Sequence, residues 1–168
     1  MEFIANKIER TYSFSIFGPM RKLLLLLVMI PFFSTAQEDA TEENKDIDRI
    51  YWSDWYRLEW ADFESPAHED ESIAALSSIG LPYSYTSDGE GVLNGKINVC
   101  FIRRESWYKK DEANNVLLQH EQLHFDIAEM YRREIVKALL EANFTKSNYE
   151  EKLEGIIERI WTRDYKYA

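Results

Sequence analysis

The sequence predicts an α+β fold: a short antiparallel sheet, then a long helix and a second C-terminal helix. Three observations point there. Between residues 72 and 102 apolar side chains alternate, or run in short stretches bounded by turn formers, as strands do. After Ser106 the apolar spacing lengthens to about 3.6 residues, the period of a helix. A second amphipathic stretch follows near the C-terminus, so strands come first and helices last. The chain has 168 residues, 45% of them hydrophobic, which suffices for one core and is too short for two.

The N-terminal third reads as something other than core. Arg21 and Lys22 precede the apolar run Leu23 to Ile30, which passes through Pro31, Phe32 and Phe33 into Ser34, Thr35 and Ala36. Basic, then apolar, then small is the order of a secretory signal peptide, with cleavage expected after Ala36. The run is too short for an ordinary membrane-spanning helix of about 20 residues. Met20 is the more natural start, which makes residues 1–19 an upstream extension. Residues 1–36 are thus expected to be extension and signal peptide, 37–49 an acidic flexible leader, and 50–168 a single domain, secreted or periplasmic.

Charge narrows the partners. Removing residues 1–36 takes away four of the 20 basic and two of the 30 acidic side chains, leaving 16 against 28, a net of −12. So acidic a surface repels phosphate backbones and anionic lipid, so neither nucleic acid nor a membrane is expected as a partner. Cys100 is the single cysteine, so no internal disulfide can form; between Val99 and Phe101 it reads as a small buried hydrophobe.

Taking the elements in order, Trp55 to Trp60 alternates well enough to suggest a first strand. Ser72 to Thr86 reads as a second, bent at Gly80 and Pro82. The turn formers at 87–91 and at Asn94-Gly95 could each close a hairpin. Lys96 to Ile102 is the clearest strand and could pair with an extended substrate. The helix is expected over 112–143, with Asp111 as N-cap and Asn143 as stop. Its apolar stripe is Val116, Leu117, His120, His124, Ile127, Tyr131 and Ile135. The second helix starts at Ser147, whose spacing to Glu150 matches a capping box, and Leu153, Ile156, Ile157, Ile160 and Trp161 form its apolar face.

The stretch LLQHEQLHFD, residues 117–126, carries the chemistry. On a helix His120 and His124 lie about 40° apart and roughly 6 Å along the axis, close enough for both imidazoles to bind one zinc ion. Glu121, turned about 100° from His120, can instead reach a water held by that ion. This is the H-E-x-x-H arrangement, in which the metal activates the water and the glutamate transfers its proton. The histidines are expected on the apolar side, where imidazoles without partners would each cost roughly 1–3 kcal/mol, a cost that a metal removes.

A catalytic zinc takes three protein ligands, and only two are evident. The position six residues after His124, where some metallopeptidases carry a third histidine, is Met130. Asp126 points away and reads as a surface charge near Arg132 or Arg133. His68 lies in an acidic loop and reads as exposed. Glu141, Glu150, Glu151 and Glu154 could supply a carboxylate, but spacing singles out none of them. Tyr131 could donate to an oxyanion or simply pack between helices. Of the aromatics, Trp52, Trp55, Trp60, Trp107 and Trp161 among them, most are expected in the core.

LLQHEQLHFDIAEMYRREI (117–135), with LEWADFESP (58–66), Ala74-Ala75 and CFIRRESW (100–107), resembles a bacterial family of predicted secreted zinc-dependent proteases, domain of unknown function 922. The resemblance covers roughly 55–143. It implies a zincin-like design, with His120 and His124 as zinc ligands and Glu121 as general base or acid. Members of that family continue past the second helix into a segment of the pattern Tyr-Asp-x-Glu-Thr-x-His, a source for a third ligand. This chain ends at IWTRDYKYA (160–168), so a shortened protein with an incomplete metal site is also expected. Two readings follow: an exported zinc metalloprotease acting on a peptide or protein substrate, or a non-catalytic exported α+β binding protein with an incomplete or structural metal site.

Overall fold

The computed structural model describes residues 7–15, as backbone only, 48–88 and 93–162. It holds a small antiparallel sheet and two helices, the α+β layout read from the sequence. The apolar run at 23–30, the cleavage position after Ala36 and nearly all of the acidic leader lie outside the described residues, as do 89–92 and 163–168. No helix among the described residues is long and apolar enough to cross a membrane.

The sheet is built around one long strand. Strand β1 (Lys7–Ser15) pairs antiparallel along nine residues of β4 (Ser78–Ser87), from Lys7 opposite Thr86 to Ser15 opposite Ser78. Lys7–Ser15, expected outside the domain, flank its sheet. The other side of β4 is shared by β5 (Leu93–Ile97) and β6 (Cys100–Ile102), and β6 also pairs with β2 (Arg49–Tyr51). A separate two-stranded ladder joins β3 (Ala75–Leu76) to β7 (Trp107–Tyr108).

Several strand boundaries differ from the expected ones. Lys96 to Ile102 is two strands, interrupted at Asn98 and Val99. Pro82 explains the break: its carbonyl accepts from the Asn98 amide at 2.9 Å, so its nitrogen, which has no proton, faces the same gap. β6 is enclosed by β4 and β2 and so is not open to an extended substrate, whereas β5 pairs with β4 alone among the described strands. The hairpin closes between Ser87 and Leu93, and Asn94-Gly95 lies within β5, not at a turn. Trp55 to Trp60 is not a strand. The Leu58 amide is taken by the Gln122 side chain at 2.8 Å, and Trp60–Asp62 winds into a 3-10 turn in which Asp62 accepts from the Glu59 amide and from Tyr56. Burial, and then the bond to Asp62, pushes the Tyr56 phenol up to about 12.

Alternation along β4 points Ile79, Leu81, Tyr83 and Tyr85 into the core. Against them pack helix α1 (Asn115–Glu141), through Phe125, Ala128 and Ile135, and helix α2 (Tyr149–Trp161), through Leu153, Ile157, Ile160 and Trp161. A short connection, 142–148, makes the two helices a hairpin. The α1 cap is Asn114, not Asp111; its side chain accepts from the Val116 and Leu117 amides at 3.0 Å. The second helix begins after Asn148, and Ser147 caps nothing; its hydroxyl lies 3.2 Å from that of Thr145. Aromatic packing fills the middle, with Phe63 and Phe101 ring centroids 4.9 Å apart and Phe101 and Phe125 6.1 Å apart. Cys100 is fully buried, and burial pushes its thiol up to about 11, as fits a hydrophobe.

Candidate metal and active site

The histidine pair sits in the first half of α1, whose rotation differs from the expected one. Phe125 wedges against Phe101, and the stripe that turns inward is Glu121, Phe125, Ala128 and Ile135. Val116, Leu123, Ile127 and Met130 are left exposed. His120 is therefore exposed and His124 half-buried, so neither is the enclosed imidazole that the apolar stripe implied. The cost of withdrawal from water falls instead on Glu121, which is only 4% exposed.

The spacing does bring the three motif residues together. His120 Nε2 and His124 Nε2 lie 3.0 Å apart, with the rings nearly perpendicular at 85°. Two nitrogens at that separation can each stand about 2.0–2.1 Å from a common point, the zinc–nitrogen distance, so the pair fits a metal ion. The same distance also allows one imidazole to donate to the other. Burial, and then the charge of His120, holds His124 below the ordinary histidine value, which keeps it neutral and able to offer a lone pair.

Glu121 is held from a different element. The Ser77 hydroxyl, 1% exposed at the break between β3 and β4, donates to Glu121 Oε2 at 2.6 Å. Burial pushes Glu121 above the ordinary glutamate value, against the pull of that hydrogen bond and of the His120 charge. The arrangement suits a proton acceptor: a carboxylate that binds a proton more readily than an ordinary glutamate, with one oxygen fixed and the other left to react. Residues 73–77, Leu117 and the three motif residues enclose a hollow of about 200 Å³. A larger one, about 770 Å³ and lined by Phe63, Glu64, Lys109 and their neighbours, contains none of the motif residues, so chemistry, not size, identifies the site.

The other candidates are occupied or distant. Asp126 is not a surface charge near the arginines: its Oδ1 accepts from Trp52 Nε1 and Gln122 Nε2, each at 2.9 Å. Arg132 and Arg133 both bond to Glu129 instead, at 2.7 to 2.8 Å. His68 is exposed, as expected, and lies against Trp107 with centroids 5.2 Å apart. Glu141 ends α1, roughly 25 Å along the axis from His124. Tyr131 packs against the core. Among the described residues no group of three or more histidine, cysteine, aspartate or glutamate side chains could hold a metal ion.

Sequence reasoning missed Ser77 and Gln122 and gave Asp126 the wrong partners. Gln122 and Asp126 stand one turn apart in the motif and tie the segment 52–58 to α1, a pairing that the i, i+4 spacing does signal. Ser77 has only a weak signal, a polar pair inside the apolar stretch Ala74 to Leu81. Comparison with protein-family models finds no match, and neither the curated proteins nor the solved structures yield one.

Proposed function

We propose that this chain is an exported zinc-dependent peptidase of zincin-like design. One observation carries the reading: two imidazole nitrogens 3.0 Å apart stand beside a buried glutamate that a buried serine orients, at the mouth of a hollow. His120 and His124 would hold the metal, which when bound supplies an activated water and polarises a peptide carbonyl. Glu121 takes a proton from a water in the hollow and passes it to the leaving amine. Ser77 fixes which carboxylate oxygen is left to do so. The likeness of 117–135 to the predicted secreted proteases, and the basic, apolar, small order of residues 21–36, support the reading.

The second reading, a non-catalytic exported binding protein, is favoured by the histidine pair itself, whose 3.0 Å separation also suits one imidazole donating to the other. One experiment separates the two. Purified chain is loaded with zinc, its metal content is measured, and it is incubated with a peptide library beside the Glu121→Gln variant. The peptidase reading expects about one zinc per chain in both, and cleavage by the parent alone. Equal cleavage by both proteins removes Glu121 from its role; zinc retention with no cleavage by either supports the binding module.

A further inference from the structure

We infer that the hollow beside the histidine pair is a subsite for one apolar side chain of a peptide, of leucine, methionine or phenylalanine size; this rests on the metallopeptidase reading of the same residues. Its walls are hydrocarbon. Ile73, Ala74, Ala75 and Leu76 form one side and Leu117 faces them from the first turn of α1. Among the described residues no lysine or arginine lines it, and its ionisable groups are the motif residues themselves. The volume, about 200 Å³, suits a single side chain, since an apolar cavity of about 150 Å³ holds a benzene ring. An aspartate or glutamate side chain entering would lose its hydration against the apolar wall, beside the Glu121 carboxylate and with no lysine or arginine on that wall to receive it, in a chain of net charge −10.

The surroundings continue the same chemistry. Val116, Leu123, Ile127 and Met130 follow one another at steps of three, four or seven along α1, on the exposed side that also carries His120. Scattered exposed apolar residues need no explanation, but four on one stripe beside a hollow mark a surface that an apolar chain would cover. The backbone of 73–77 bounds the opposite wall, so the selected side chain lies next to the motif residues, beside the bond to be cut.

The test profiles the zinc-loaded full-length chain against a peptide library by mass spectrometry, and in parallel measures peptide binding to the Glu121→Gln variant by fluorescence. Leucine, methionine or phenylalanine should be preferred over aspartate or lysine at one position beside the cleaved bond, by about ten- to hundredfold. Leu117→Lys, a half-buried position, should turn that preference towards aspartate and glutamate. Cleavage with a flat or charged preference overturns the subsite and leaves the peptidase reading intact. No cleavage, with leucine peptides bound tenfold tighter than aspartate ones and Leu117→Lys reversing the order, overturns the peptidase reading and keeps the subsite. Neither cleavage nor selective binding overturns both.

Discussion

The Ser77 hydroxyl donates to Glu121 Oε2 across 2.6 Å, joining the break between β3 and β4 to the middle of the histidine motif on α1. Both partners are almost wholly withdrawn from water. A buried carboxylate that loses its donor is left with the desolvation cost, about 1–3 kcal/mol. Ser77→Ala is therefore expected to lower stability by that amount and kcat on a cleaved peptide roughly tenfold. KM should change little, because Ser77 orients the base and does not grip substrate. Ser77→Thr keeps the hydroxyl and should recover most of the loss. Steady-state kinetics and urea midpoints check this; an unchanged kcat in Ser77→Ala would leave the bond with a structural role alone.

Much of α1 was legible because helix periodicity and the four-residue spacing of His120 and His124 are local properties. Its rotation was not. Two apolar stripes compete on this helix, one through Val116, Leu123, Ile127 and Met130 and one through Leu118, Phe125, Ala128 and Ile135. Only the fit of Phe125 against Phe101, a residue 24 positions earlier, decides between them. That choice exposes His120, leaves His124 half-buried and buries Glu121. Strand ends were harder for the same reason: the split between β5 and β6 depends on Pro82 standing opposite it, and β1 on a register with β4 set some 70 residues away. Ile8, Tyr12 and Phe14 do alternate, but a basic and apolar run follows them, and the whole N-terminus read as a leader.

Gly95 is fixed by close approach. A Cβ there would lie 2.8 Å from the Ser84 carbonyl oxygen and 3.1 Å from Tyr85 Cβ, in the ladder where Gly95 faces Tyr85. Backbone on one side and a core tyrosine on the other leave little room to yield. Gly95→Ala is expected to cost about 1–3 kcal/mol, the usual penalty for overpacking. Zinc binding should survive, since the residue belongs to the β4–β5 ladder and not to the hollow. A fall in the urea midpoint with unchanged metal content is the expected pair of results.

The expected processing after Ala36 bears on β4. A chain starting at Gln37 would lack β1 and leave the side of β4 that β1 covers without its nine-residue partner. Pro82 does not protect that side, because its nitrogen faces β5 and β6. An open, regular edge is a template for pairing with another chain. Chain 37–168 is therefore expected to self-associate at concentrations where chain 1–168 stays monomeric, as read by light scattering. Equal size at equal concentration would show that the edge is covered in some other way.

Glu129 sets an acid limit on stability. It is 5% exposed, and burial alone would raise its carboxyl. The hydrogen bonds from Arg132 and Arg133, at 2.7 to 2.8 Å, together with their charges, outweigh burial and hold it below the ordinary glutamate value. A depressed folded value means that the unfolded chain binds the proton more readily. The contribution is then complete above the unfolded glutamate value, about 4.3, and is lost as pH falls through the folded one. Arg133 is 64% exposed, so its share is small, and the whole contribution is about 1–2 kcal/mol. Glu129→Gln should be less stable than the parent by that amount at pH 7, and the two should converge towards pH 3. Urea midpoints across that range test it, and a gap of constant size at every pH would mean that packing, not charge, sustains the difference.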